Sequence, residues 1–482
     1  MSKTPSFLEC ISFNLVLVIL ASVLPQRMAA RDIYYRYGSH TIIYEVISEE
    51  ARTCQTKAGV FHENGTITEG NNVAGTVTIP EKIEDSYGYI FTVVGIGECS
   101  FSHNTRIKSI KLPKSVKRIG QWAFSTCSQM EEISLPDSLQ LIYTGAFAGC
   151  NKLKNLEIPF SVIFINSRAF ESCYDLTKFI FPNHKLFEDE EDPLYNLIDD
   201  ITFFNCRNLK EIIIPQSIGR IGNQAFQYCY ALTSISIPNS VSFIGRNAFQ
   251  DCTSLSSVTI GNSVQSFEEG YNGSEVFRGC SKLKEIVSLP TTPPLYSSSA
   301  FSGVPSDAVV YIPKGSLSDY SRSWKNFKKF VEIDVPKYSI DQSNLTLEVG
   351  ETKTISVKKT KVGKNVTEGC RLITIEPESG IITLNLERND KESEITINGA
   401  KPGTGVLEYY LENEYGIKFR DYCYITVIDA GNGVDSIISD DHTDDSSTIY
   451  YDLNGRAINP DNVQSGIYIR KCNGETKKII IR

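Results

Sequence analysis

The chain has 482 residues, of which 41% are hydrophobic and 22% charged, and this is the composition of a folded protein with room for several domains. Its formal net charge of −9 argues against the basic surface that nucleic-acid and anionic-membrane partners favour. With five histidines in the whole chain, acid–base and metal sites lack their most usual residue.

The first 30 residues have the pattern of an export signal. The apolar run FNLVLVILASVL at 13–24 is short for a membrane span, and MAA at 28–30 supplies small residues for cleavage after Ala30. We therefore expect residues 1–30 to be a signal peptide and the mature chain to have no transmembrane segment. The alternative is a retained N-terminal anchor. Residues 31–93 are expected to form an N-terminal β cap segment.

A 23-residue repeat occupies the middle of the chain. The repeat is recognised from phenylalanines and prolines at constant spacing. Ten extra residues interrupt this spacing once, after which it continues. The phenylalanines are Phe101, Phe124, Phe147, Phe170, Phe203, Phe226 and Phe249. The unit reads A-F-x-x-C-x-x-L-x-x-I-x-I-P-x-S-V-x-x-I-G.

One such unit has an apolar edge that it cannot bury alone. Stacked units make a continuous core from rows of Phe, Leu, Ile and Cys, so the pattern predicts a solenoid over 94–333. The L-x-x-I-x-I segment alternates as a strand does, with Ile235 and Ile237 inward and Ser236 outward. Proline then ends the strand.

Seven of the 13 cysteines occupy one position of the repeat, and the first repeat has Asn104 there. A position that accepts asparagine suits packing and hydrogen bonding rather than nucleophilic chemistry, and buried cysteine behaves as a small hydrophobe. Disulfides and a metal site are the alternatives, but the C-x-x-C pairs of zinc sites are missing from this series. The predicted structural ladder is Asn104, Cys127, Cys150, Cys173, Cys206, Cys229, Cys252 and Cys280.

The repeat AFxxCxxLxxIxIPxSV resembles the BspA-type leucine-rich repeats, also known as the Treponema pallidum type, of bacterial surface proteins. The resemblance covers about half of the chain, and it implies that 75–101 leads into the first repeat and that 289–333 forms a C-terminal cap. In that cap, the spacing of Trp324, Phe327 and Phe330 predicts a short helix laid over the open end of the core.

The slip in the repeat contains FEDEEDPLYN at 187–196. Its five consecutive acidic residues, 188–192, could collect calcium, although they lack the D-x-D-x-D-G spacing of a loop site. A solvated charge run is the other interpretation, and we expect no metal there.

The 23-residue period ends near residue 335, and short alternating segments such as LTLEV, TISV and IITLNL follow. Roughly seven short strands indicate a β-sandwich over 335–430. The segment LEVGETKTISV resembles the opening of bacterial Ig-like domains. Cys370 and Cys423 could form a disulfide or remain two buried thiols.

A polar acidic stretch at 431–448 is expected to be a linker, and residues 449–482 a small β domain. Asn454-Gly455 is a strong hairpin turn signal. YDLNGR, SGIYI and the basic ending resemble the C-terminal sorting domain of type IX secretion in Bacteroidota, which implies transport across the outer membrane. The expected fold class is therefore mainly β: a leucine-rich-repeat solenoid, an Ig-like β-sandwich and a small C-terminal β domain.

The chain contains no G-x-S-x-G, H-E-x-x-H, Walker or dinucleotide-binding motif. Serine recurs in the P-x-S-V turn, but no histidine recurs with the same spacing. We expect no enzyme activity and no cofactor.

Outward strand positions are the candidate partner-binding residues, because exposed aromatic and arginine side chains carry much interface energy. The first predicted row comprises Lys111, Ser134, Glu157, Ile180, Ile213, Ser236 and Thr259; the second comprises Arg118, Leu141, Phe164, Arg220 and Phe243. Phe164 and Phe243 could instead merely cover the edge of their coil.

The family resemblance implies an adhesin at the outer-membrane surface of a Gram-negative bacterium. Its implied partners are host extracellular-matrix or plasma proteins, or other bacteria, and not nucleic acid. The alternatives are a protein that captures glycans or nutrients, and a structural surface component that binds itself. Glycan capture would need clustered exposed tryptophan and tyrosine, and the chain has two tryptophans.

Overall fold

The computed structural model describes residues 32–182, 197–267 and 274–428, with gaps at 38–39, 58–59, 62–66, 69–70, 72, 155, 362–364, 375–379 and 390. It also describes the backbone of four strands between 449 and 481. The expected signal peptide, the acidic run at 188–192 and the expected linker lie outside the described residues. The described part of the chain is mainly β.

Five strands precede the repeats: β1 (Asp32–Tyr37), β2 (His40–Ser48), β3 (Thr53–Thr56), β4 (Val60–Phe61) and β5 (Ile67–Thr68). The first three form an antiparallel meander, and β4 and β5 form a separate short hairpin. Strand β3 pairs in parallel with β8 (Ile90–Ile96), so the meander covers the first edge of the repeat sheet. Buried Tyr44 and Cys54 join it to the repeat core.

The repeats form successive coils, most of them with two short strands, and equivalent strands of neighbouring coils lie side by side. Row one is built from the L-x-x-I-x-I half of each repeat. Its strands are β6 (Gly75–Thr78), β9 (Ile107–Lys111), β11 (Glu132–Ser134), β14 (Lys178–Ile180), β16 (Glu211–Ile213), β18 (Ser234–Ser236), β20 (Ser257–Ile260), β22 (Glu285–Ser288), β23 (Val309–Pro313) and β24 (Lys329–Ile333).

Row two is built from the V-x-x-I-G half. Its strands are β8, β10 (Arg118–Ile119), β12 (Leu141–Ile142), β13 (Phe164–Ile165), β15 (Leu197–Ile198), β17 (Arg220–Ile221), β19 (Phe243–Ile244) and β21 (Ser266–Phe267), and β7 (Lys82–Glu84) pairs antiparallel with β8. The pairs Ile119↔Ile142, Ile221↔Ile244 and Ile235↔Val258 are parallel and join equivalent residues of neighbouring coils.

The repeat phenylalanines form a continuous stack inside the coils. From Phe101 to Phe301, neighbouring rings lie 5.2–5.6 Å apart and within 14° of parallel. Phe203 also contacts Phe179 at 4.7 Å and Phe181 at 5.7 Å. Because each ring faces the same ring of the next coil, a single repeat could not bury its own phenylalanine.

The C-terminal end of the core is covered by helix α1 (Leu317–Ser323), by Trp324 and Phe327, and by strands β23 and β24 of row one. Tyr320 and Trp324 are fully buried there. The expected helix over Trp324, Phe327 and Phe330 is therefore wrong in position. Its residues follow the helix, and Phe330 lies in β24, where parallel pairing with Val310 outweighs the helical spacing.

Eight strands follow: β25 (Lys337–Ile340), β26 (Asn344–Glu348), β27 (Thr352–Lys361), β28 (Thr367–Ile373), β29 (Ile382–Glu387), β30 (Glu392–Gly399), β31 (Gly403–Glu412) and β32 (Lys418–Ile428). They form two four-stranded sheets, ordered β25-β27-β30-β29 and β26-β32-β31-β28. The sheets share one apolar core, and we call them the β-sandwich. Cys370 and Cys423 are free thiols in it.

Four further strands, β33 (Ile449–Tyr451), β34 (Ala457–Ile458), β35 (Gly466–Cys472) and β36 (Glu475–Ile481), form one antiparallel sheet in the order β34-β33-β35-β36. Strands β33 and β34 pair across the expected Asn454-Gly455 turn, which itself lies outside the described residues.

Candidate interaction surfaces

The repeated cysteine makes the same hydrogen bond in every coil. Its Sγ donates to the backbone carbonyl of the phenylalanine in the preceding coil, at 3.1–3.3 Å. All seven thiols are fully buried and free. At the head of the series, the Asn104 Nδ2 donates to the Val73 carbonyl at 2.8 Å and its Oδ1 accepts from the Arg106 N–H at 3.0 Å.

Burial makes these thiols poor nucleophiles. It raises the pKa of Cys127 to about 12 and that of Cys173 to about 12, with smaller opposing effects from backbone hydrogen bonds. Burial also places the pKa of Cys150 well above its ordinary value. A thiol that stays protonated at neutral pH is neither a nucleophile nor a metal ligand.

The serine of the P-x-S-V turn has a structural role that the sequence did not reveal. Its Oγ donates to the carbonyl of the residue 22 positions earlier, for example Ser138 to Val116 at 2.8 Å and Ser240 to Ile218 at 2.6 Å. Ser115 and Ser161 make the same bond. The sequence did contain a signal for this structural role, because serine recurs at this turn without a histidine that could activate it. A serine hydroxyl in such a turn can donate to a backbone carbonyl of the neighbouring coil.

Row one is not an open surface along its whole length, and this differs from the expectation for its residues. Lys111 and Ser134 are exposed, and Ser236 and Thr259 are half-buried. Glu157 remains exposed but accepts a hydrogen bond from the Thr404 hydroxyl of the β-sandwich. The alternating pattern predicts these side chains to point outward, but it carries no information about the packing of the β-sandwich on them.

The β-sandwich packs on row one at Ile180 and Ile213. Ile213 is 3% exposed and forms an apolar cluster with Ile373, Val406 and Tyr424. The Phe160 and Tyr424 rings meet edge to face at 5.8 Å. The Lys178 Nζ donates to the Thr374 carbonyl at 2.6 Å.

A second apolar contact joins the two parts near the C-terminal cap. Val287 and Ile333 of the repeat region cluster there with Ile417 and Phe419 of the β-sandwich. The Tyr311 and Tyr415 rings lie 5.6 Å apart. The β-sandwich therefore contacts row one in two separate places. Both places lie within the coils between Glu157 and Ile333.

A buried carboxylate lies on the face of the β-sandwich that meets row one. Glu408, whose side chain is 4% exposed, accepts from the Arg371 Nε at 2.6 Å and pairs with the Arg420 Nε at 3.1 Å. The guanidinium of Arg371 also lies 3.9 Å from Glu211 of row one. Two arginines thus compensate one buried charge.

A small open cleft lies at this seam, and its lining includes Glu157, Phe160, Ile180, Phe181, Thr404 and Val406. It is the space left between row one and the β-sandwich. Its lining is mainly apolar and lacks a pair of groups for acid–base chemistry.

Row two carries the remaining candidate residues, in sheets separate from those of row one, and none of the contacts just described involves its strands. Arg220 is exposed, and its guanidinium lies 4.6 Å from the centre of the half-buried Phe243 ring in the next coil. Arg118 is half-buried and donates to the Gln55 Oε1 at 2.9 Å. Leu141 and Phe164 are half-buried in the two coils that follow Arg118.

Within the described residues, no group of three or more histidine, cysteine, aspartate or glutamate side chains could hold a metal ion. No helix in that part of the chain is long and apolar enough to cross a membrane.

A profile of the family described as BspA type leucine rich repeat region matches the chain with six copies, at residues 86–190, 196–320 and 271–374. These matches cover more than half of the 482 residues. The family is defined by a repeat and not by a catalytic activity. Comparison with curated proteins gave no match.

Several solved structures are similar to the chain. A leucine-rich repeat protein from Bacteroides ovatus is 21% identical and covers 62% of this chain and 100% of its own, with a TM-score of 0.30. A leucine rich cell surface protein from Faecalibacterium prausnitzii is 19% identical, with 63% and 96% covered and a TM-score of 0.34. The leucine-rich repeat protein of T. pallidum is 20% identical, with 61% and 97% covered and a TM-score of 0.26.

Proposed function

Because the chain belongs to the BspA-type leucine-rich repeat family, we propose that it is a cell-surface protein that binds other proteins through the outward side chains of row two. The repeat region would act as a rigid solenoid over 94–333, since each coil is fixed to its neighbours by strand pairing, the phenylalanine stack and the thiol–carbonyl bonds.

The proposal extends to the other parts of the chain. Residues 1–30 would direct export, 31–93 would cap the first coil, 335–430 would be an Ig-like domain, and 449–482 would be a type IX sorting domain joined by the linker at 431–448. Two facing four-stranded sheets support the third assignment, and a small antiparallel sheet in which β33 pairs with β34 supports the last. The protein would then lie at the outer surface of a Gram-negative bacterium.

The choice of row two rests on one observation. The exposed Arg220 is stacked on Phe243, and the two residues lie on paired strands. Arginine and aromatic residues dominate interface energies, and a side chain already held in place loses less entropy on binding. The β-sandwich covers row one at Ile180 and Ile213, and of the exposed members Glu157 already bonds to the β-sandwich, which leaves Lys111 and Ser134 as exposed residues without that contact. The partners that fit the family are host matrix or plasma proteins, or proteins of other bacteria.

The test is solid-phase binding of the full chain to fibronectin, fibrinogen, laminin and mucin. We expect saturable binding to at least one of them, and we expect the double variant Arg220→Ala, Phe243→Ala to bind at least about tenfold more weakly, since two hot-spot side chains are lost.

The matched control is Arg322→Ala, which removes an arginine with a 79% exposed side chain from helix α1 and leaves row two intact. Its binding should equal that of the parent protein. Equal losses in both variants would point to a non-specific charge effect, and full binding by the row-two variant would exclude row two as the interface.

A further inference from the structure

We propose that a cluster of tyrosine, phenylalanine and arginine side chains on the turn side of three consecutive coils is a binding site for a neutral oligosaccharide. The cluster, which we call the aromatic patch, consists of Tyr174, Phe204, Arg207, Tyr228 and Tyr230. None of these residues belongs to row one or row two, so the proposal does not depend on the protein-binding function above.

The patch is held together by ring contacts between neighbouring coils. The Arg207 guanidinium lies 4.5 Å from the centre of the Tyr174 ring, and its Nε donates to the Asn205 Oδ1 at 3.0 Å. Phe204 meets Tyr228 edge to face at 5.4 Å, and Tyr228 lies 6.0 Å from Tyr230.

These side chains are outside the core. Tyr230 is 39% exposed and Arg207 is exposed, whereas the stacked phenylalanines of the same coils are fully buried. The residues that follow the ladder cysteine in other coils are small and polar, namely Ser128, Asn151, Thr253 and Ser281. The aromatic residues are therefore additions to the repeat and are not required by it.

The backbone at Tyr228 supports the same conclusion. This residue has φ +64°, in the left-handed region that disfavours bulky side chains. The same conformation occurs at the equivalent positions of the other coils, and Tyr228 has the largest side chain in a series that otherwise comprises His103, Thr126, Gly149, Ser172, Asn205, Asp251 and Gly279. Asparagine or glycine would adopt this conformation at lower cost, so local backbone preference does not require a tyrosine at this position.

The size and rim of the patch favour a glycan over a protein. Three coils span only about 10 Å at the usual strand spacing, which matches two or three sugar rings. A stable protein interface needs about 800 Å² and 20–30 residues from each partner, far more than five side chains.

Aromatic faces can stack on the apolar face of a pyranose ring. The polar groups at the rim, among them Asn205, Asn208 and Asp175, can pair with its hydroxyls. The Asn208 Nδ2 already lies 3.3 Å from Asp175, so these groups are fixed in direction. The charges of Arg207 and Asp175 balance within this region, which favours a neutral sugar, and the net charge of −9 disfavours an anionic one.

The experiment is a titration of the full chain with trisaccharides of β-linked glucose, N-acetylglucosamine, galactose and mannose, read by ligand-observed NMR. We expect saturable binding of at least one trisaccharide. Tyr230→Ala and Tyr228→Asn should each weaken that binding by about tenfold, the scale of one lost aromatic contact.

Tyr228→Asn places at this position the residue type already found at Asn205, so we expect an unchanged or higher melting temperature for it. Tyr87→Ala is the matched control, since Tyr87 is 72% exposed in the hairpin between β7 and β8, and it should bind as the parent does. The proposal is overturned if no trisaccharide binds, if both patch variants retain full binding, or if the patch variants lose binding to a protein of the solid-phase panel instead. Loss of sugar binding with intact protein binding would separate the two functions.

Discussion

We expect Phe203→Ala to lower the free energy of unfolding by about 3–5 kcal/mol, the range for removing a fully buried aromatic side chain. Phe203 lies in the coil that follows the break in the repeat spacing. Its ring stacks between Phe170 at 5.5 Å and Phe226 at 5.4 Å, and it contacts Phe179 and Phe181 as well. Its removal would leave a cavity that rigid neighbouring coils cannot close, so the loss should fall at the upper end of the range. Chemical denaturation of the purified chain measures it.

Phe204→Ala is the control for this prediction, because it makes the same change one residue later. Phe204 is only half-buried and lies outside the stack, so its loss should cost about 1 kcal/mol, the typical effect of a point substitution. Similar losses for the two variants would mean that the phenylalanine stack is not the main stabilising element of the coils.

The second large effect concerns the buried Glu408. We expect the double variant Arg371→Met, Arg420→Met to be destabilised by about 3 kcal/mol, because it removes both cations and leaves a carboxylate of 4% exposure without compensation. The same variant should loosen the packing of the β-sandwich on row one, since Arg371 also faces Glu211. The midpoint of thermal unfolding would report the loss of stability. The protease sensitivity of the segment 334–337 would report the loosened packing on row one.

The triple variant Arg371→Met, Glu408→Leu, Arg420→Met is the matched control. Replacing a whole buried ionic cluster by apolar side chains is often neutral, so it should recover stability to within about 1 kcal/mol of the parent. If the triple variant is as unstable as the double variant, the arginines act through packing and not through the charge of Glu408.

The sequence predicted the core of the repeat region because the pattern is local and periodic. A 23-residue period in Phe, Leu and Ile determines which side chains point inward, and strand pairing between equivalent residues, such as Ile119 with Ile142, follows directly from it. The same reasoning found the cysteine position, although the carbonyl that each thiol meets became evident only from the coil geometry.

The covering of row one could not be predicted, since it depends on contacts between distant parts of the chain. Thr404 reaches Glu157 and Thr374 reaches Lys178 across 247 and 196 residues. No periodicity links such pairs. The outward strand positions Ile180 and Ile213 therefore pack against the β-sandwich instead of facing solvent.

The aromatic patch was missed for a different reason. Its members occupy three different positions of the repeat, so no single column of the alignment shows them together. They converge because coils stack with the turn residues side by side. The signal in the sequence was the replacement of small turn residues by tyrosine in the first and third of these coils, at Tyr174, Tyr228 and Tyr230.

The central claim is that the β-sandwich covers part of row one, including Ile213, and leaves other faces of the coils for binding. Thiol labelling of Ile213→Cys and Ser134→Cys in the native full chain tests it most directly, because both residues hold the same outward strand position in different coils. The parent supplies the background, as its described cysteines are buried apart from the half-buried Cys370. We expect the thiol introduced at Ser134 to react quickly and that at Ile213 to react only on unfolding. Equal, rapid labelling of both would contradict the claim and return row one to the candidate binding surfaces.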